Sequence, residues 1–136
     1  MNDNQLITES GKMTILFFGA HPDDTEFRAS GTAARWIRPG NRVVIVSVTD
    51  GRSGHHQMPP DDVAARRKRE AAAAAERIGA ESVVLGIPDG ALEPTLENRA
   101  KMIRLVREVR PDVVITNRPN DYHPDHRYMS LLVQDS

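Results

Sequence analysis

Four short apolar runs rich in β-branched residues, Thr14–Phe18, Val43–Val48, Ser82–Leu85 and Asp112–Thr116, punctuate the chain. They lack the in-and-out alternation of a half-exposed sheet, so they predict strands buried on both faces, as parallel strands are. Between them lie segments with helical spacing. Ala29 to Arg38 stops before Pro39-Gly40. Pro60 to Ile78 carries the helix formers Arg66-Arg-Lys-Arg-Glu-Ala-Ala-Ala-Ala-Ala-Glu-Arg77 and closes on Gly79. Leu96 to Arg110 sets Ile103, Val106 and Arg110 at helical spacing and halts at Pro111. A last helix opens at Tyr128-Met-Ser-Leu-Leu-Val133, and the sequence stops at Ser136 with no strand after it. Strand and helix alternate throughout, which predicts βαβ units with right-handed crossovers. The expected fold is α/β, a Rossmann-like open parallel sheet with helices on both faces, truncated at its carboxyl end. In a doubly wound order 3-2-1-4, the first and fourth strands are neighbours and the loops after them flank one crevice.

Composition narrows the classes of function. A chain of 136 residues suits one domain, expected over residues 13–136. Residues 1–12 are polar and lack the apolar stretch of a signal peptide, so a flexible tail is expected there. The formal net charge of −1 supplies no long-range field to recruit nucleic acid or an anionic membrane. A small-molecule partner fits better, and a homo-oligomer stays open. No stretch reaches the ~18 apolar residues of a membrane span, so a cytoplasmic protein is expected. With no cysteine, disulfides and thiol redox chemistry are excluded. Any metal must then be held by histidine and carboxylate, a donor set that suits zinc or another first-row divalent ion such as iron(II).

Candidate chemistry sits at the ends of the apolar runs. His21-Pro22-Asp23-Asp24 follows the first and is answered, far downstream, by His123-Pro124-Asp125-His126 after the fourth. A lone His-Pro-Asp is ordinarily a turn, because proline fixes φ and aspartate caps the next helix. Two copies at the ends of neighbouring strands instead make two halves of one metal centre. All five histidines fall in three loops at the strands' carboxyl ends. A catalytic zinc takes three protein ligands and keeps one position for water, whose pKa falls from 15.7 to roughly 7. His21, Asp24 and His126 supply that count. Asp23, beside a ligand, can face the water as general base, and His123, as imidazolium, can stabilise an oxyanion or protonate a leaving amine. Together they describe amide hydrolysis by metal-bound hydroxide. His55 and His56, in the Ser53–Pro60 loop, are read as solvated. No dinucleotide fingerprint, phosphate loop, His-Glu-x-x-His helix or nucleophile elbow is present.

These residues resemble the LmbE-like, PIG-L-type zinc-dependent de-N-acetylases. The resemblance runs from about Met13 to Val133. It covers Ala20-His-Pro-Asp-Asp-Thr-Glu26, Gly31-Thr32, Val48-Thr-Asp-Gly51, Arg67-Lys-Arg-Glu70, Leu85-Gly-Ile-Pro-Asp-Gly90 and His123-Pro-Asp-His126. It implies zinc on His21, Asp24 and His126, Asp23 as base and His123 as electrostatic or general-acid partner. It further implies that Arg67 reaches the substrate and that Asp89 binds a sugar hydroxyl. The implied reaction is removal of an acetyl group from an N-acetylglucosamine-type conjugate. The chain also departs from the pattern. Where some members carry a tyrosine two residues before the first histidine of the second motif, Asp121 stands here, with Tyr122 one residue closer. Arg28 occupies a position where small residues are common. Members also continue well past the second motif. Two rival readings follow: hydrolysis of another amide by the same machinery, and a catalytically silent metal-binding fragment or interaction module.

Overall fold

In a computed structural model of the chain, residues 13–38 and 40–136 are described, so the tail expected over residues 1–12 lies outside the described residues. The elements are β1 (Thr14–Gly19), α1 (Asp24–Ile37), β2 (Arg42–Thr49), α2 (Pro60–Ile78), β3 (Glu81–Ile87), α3 (Leu96–Val109), β4 (Val113–Ile115) and α4 (Pro124–Gln134). The strands form one parallel sheet in the order β3-β2-β1-β4. This is the arrangement anticipated from the alternation of runs and helices, with β1 and β4 adjacent at the point where winding reverses.

The central strands carry continuous apolar runs, Ile15–Phe18 in β1 and Val43–Val46 in β2, because both of their faces are covered. Leu16, Phe18, Val44 and Val46 point to one side and pack with Met102, Leu105, Met129 and Leu132 of α3 and α4. Ile15, Phe17, Val43 and Ile45 point to the other and meet Ala33, Trp36, Ala75 and Ile78 of α1 and α2. A fully buried side chain of this size contributes about 1.5–3 kcal/mol relative to exposure. The strands are thereby fixed in register, and their carboxyl ends set where the following loops begin. Among the described residues no helix is long and apolar enough to cross a membrane.

Two helices begin earlier than their apolar spacing indicates. α1 starts at Asp24 rather than Ala29, and α4 at Pro124 rather than Tyr128. Their first turns are polar, and Phe27 is 91% exposed, so no apolar stripe announces them. His126 is consequently a residue of the first turn of α4 and not of a loop. β4 is shorter than the run that predicts it, three residues against the expected Asp112–Thr116.

Candidate metal centre

β1 delivers His21 through the short turn Ala20-His21-Pro22-Asp23. The backbone N–H of His21 donates to Asp24 Oδ2 at 2.9 Å, and Asp24 opens α1. β4 leads through a longer loop to α4, whose first turn carries Asp125 and His126. Negative side chains at both helix starts are favoured by the helix dipole. Because β1 and β4 pair, the two turns face each other across the crevice.

Three donor atoms converge there. His21 Nδ1 lies 3.3 Å from His126 Nε2 and 3.5 Å from Asp24 Oδ2, and His126 Nε2 lies 3.1 Å from Asp24 Oδ2. A tetrahedral zinc with bonds of about 2.05 Å has edges of about 3.3 Å between its donors. The triangle therefore fits three corners of such a site, which is the set the sequence reading named. Two ring nitrogens and a carboxylate oxygen this close need a cation or a proton between them.

Without metal, a proton fills that role. Burial pulls the His21 pKa down, but the hydrogen bond and charge of Asp24, with Asp89 and Asp125 behind, outweigh it and push it up to about 9. Burial acts to raise the Asp24 pKa, yet the hydrogen bonds from His21 hold that carboxyl below its ordinary value.

The remaining expected residues surround this triangle in a cleft of about 630 Å³ lined by His21, Asp23, Arg67, Asp89 and His123 among others. Asp23 is not a corner of the triangle. Its backbone is strained at φ 118°, its side chain is more than half exposed, and its Oδ2 accepts from Arg67 Nη2 at 2.5 Å. Arg67 also donates to the Pro22 carbonyl and to Glu70, so α2 clamps the first motif. His123 stacks 5.0 Å from His126 and edge-on 4.7 Å from His21, measured between ring centroids. Its Nδ1 accepts from the Asp125 N–H and caps α4. That places the ring proton of neutral His123 on Nε2. Asp89 reaches into the cleft with Oδ1 2.9 Å from His21 Nε2, while its Oδ2 accepts from the Ser53 N–H. His55 lines the cleft, with its Nδ1 taken by the Gln57 and Met58 amides.

Sequence reasoning missed Asp125. It is 1% exposed, with Oδ2 3.0 Å from His21 Nε2 and accepting from the Gly90 N–H. Asp89 and Asp125 together hold the far side of the His21 ring, so that Nδ1 turns to the triangle, the familiar carboxylate–histidine–metal arrangement. Its position inside the His-Pro-Asp-His motif was the one available signal.

With this geometry, a family model described as PIG-L, GlcNAc-PI de-N-acetylase, matches residues 16–136. The chain belongs to this family. Diacetylchitobiose deacetylase of Thermococcus kodakarensis is 31% identical over 124 residues, 87% of this chain and 46% of that protein. N,N'-diacetylchitobiose deacetylase from Pyrococcus horikoshii superimposes with a TM-score of 0.86 at 26% identity, over 97% of this chain and 55% of that one. 4-Carboxy-2-hydroxymuconate hydratase from Pseudomonas putida KT2440 superimposes with a TM-score of 0.84 at 27% identity, over 90% of this chain and 55% of that one. The PIG-L chain thus spans about half the length of the relatives it matches. One scaffold carries a deacetylase and a hydratase, so the fold alone does not choose the reaction.

Proposed function

We propose that this PIG-L chain is a metal-dependent hydrolase that removes the acetyl group from an N-acetylglucosamine-type sugar conjugate, with zinc or iron(II) on His21, Asp24 and His126. The reading is supported above all by the 3.1, 3.3 and 3.5 Å triangle of donors, set beside a carboxylate that is not one of them. A divalent ion bound there supplies a Lewis acid and a water acidified toward neutral pH.

The chain's own residues supply the rest. Asp23, aimed at the cleft by Arg67, takes a proton from the attacking water. The water oxygen adds to the acetyl carbon. His123, whose Nδ1 is committed to capping α4, offers its Nε2–H to the carbonyl oxygen as negative charge develops. In this form it acts as a neutral donor, whereas an imidazolium would have to give up the cap. The proton on Asp23 then passes to the departing nitrogen as the C–N bond breaks, and acetate and the free amine leave. Arg67 and Asp89, which both line the cleft, bind substrate there, Asp89 beside His21.

Bound metal and acetate are the products to measure. The protein should carry one zinc or iron per chain and release acetate from diacetylchitobiose or an N-acetylglucosaminyl-inositol. Stoichiometric metal without acetate release from either would favour the silent metal-binding module, a reading motivated by the chain's half-length span of its relatives. Absence of metal binding would remove both readings.

A further inference from the structure

His126 presents Nε2 to the donor triangle, which leaves its Nδ1 buried on the opposite side of the ring. One carboxylate faces it. Asp121 Oδ2 lies 3.4 Å from His126 Nδ1, and the Asp121 side chain is 0% exposed. Both atoms are buried, and neither has another hydrogen-bond partner. Two orphaned polar atoms of opposite character, facing each other in a region shut off from solvent, cost little only as a pair.

The carboxylate is held in place from several directions. Its Oδ1 accepts from the His123 N–H at 3.1 Å, and the Asp121 carbonyl accepts from Arg127 of α4 at 2.8 Å. Arg118 at 3.6 Å and Arg28 at 3.9 Å from Oδ2 offset its charge. Arg28, on α1, thus stands behind the His126 side of the donor triangle.

We infer that Asp121 is the positioning residue of the metal ligand His126: it keeps the proton on Nδ1, orients the ring and leaves the Nε2 lone pair for the ion. It does on the α4 side what Asp89 and Asp125 do for His21 on the β1 side. The inference rests on the metal-site reading above.

Two variants and two measurements test it. Asp121→Asn keeps the shape and an acceptor but removes the charge, and Asp121→Ala removes both. Zinc affinity, measured by competition with a chromophoric chelator, should fall about 10- to 100-fold in the alanine variant and less in the asparagine variant, the usual cost of losing an outer partner. The ring-nitrogen NMR shifts of His126, recorded on metal-free protein, should report the Nδ1–H form in the parent and a shift toward Nε2–H in the variants. A purely structural role would lower thermal stability and leave that proton where it was. Unchanged zinc affinity in folded Asp121→Asn and Asp121→Ala, or a parent protein with the proton on Nε2, overturns the inference. If the alanine variant does not fold, the asparagine variant decides. If the parent binds no zinc, the metal-site reading falls, and the NMR readout still decides whether Asp121 holds the ring.

Discussion

Asp23 combines chemistry and strain in one residue. A non-glycine residue at φ 118° is held against a backbone preference of about 1–3 kcal/mol. The Arg67 clamp and the turn into α1 keep it there. Asp23→Asn should retain zinc and lose turnover by about 10²–10⁴-fold, because it removes a base and not a ligand. Loss of zinc in that variant would show the roles of Asp23 and Asp24 to be interchanged. In urea unfolding Asp23→Gly should be more stable than Asp23→Ala by about 1 kcal/mol, since both remove the ion pair and only glycine relieves the backbone. At this scale the triangle was legible, because His-Pro-Asp-Asp and His-Pro-Asp-His carry their donors in the motif itself. The outer carboxylates Asp121 and Asp125 were not. An aspartate in a turn looks the same whether it meets water or the back of an imidazole.

Elements decide how tightly the triangle is built. Gly19, the last residue of β1, sits where α1 passes closest: a Cβ there would stand 2.9 Å from Asp24 Cβ and 3.2 Å from Thr25 Oγ1. The start of α1 would have to move, and with it Asp24, a corner of the donor triangle. Gly19→Ala should cost about 1–3 kcal/mol of stability, as overpacking does, and weaken zinc binding at the same time. Urea unfolding and chelator competition measure the two effects. Lost stability with zinc affinity intact would mean that α1 yields away from Asp24. The strands and the interiors of all four helices were legible from apolar spacing and helix formers. The starts of α1 and α4 were not, because their first turns are polar. They are set by backbone bonds such as Phe27 N–H to the Asp23 carbonyl at 2.8 Å and Arg127 N–H to the His123 carbonyl at 3.2 Å.

For the whole molecule the site is a pH-dependent stabiliser. In the metal-free protein the His21 pKa of about 9 stands above its ordinary 6.5, so the folded form binds a proton that the unfolded chain releases sooner. That contribution is complete below about pH 6.5 and disappears as pH rises to about 9. The urea midpoint of metal-free protein should therefore fall across this window. Zinc displaces the proton, so the stabilisation it adds should grow across the same window. A midpoint flat from pH 6.5 to 9 would show that His21 carries no such proton. Sequence by itself determined the class of fold and the donor types, because buried parallel strands write continuous apolar runs and metal chemistry restricts the residues that can perform it. Tertiary structure alone decided which ring nitrogens meet in the donor triangle, which carboxylate stands behind each ring and that Arg67 holds Asp23. Those relations join β1, α2, β3 and α4 across long stretches of chain, and they exist only once the strands have paired in the order that brings their carboxyl ends together.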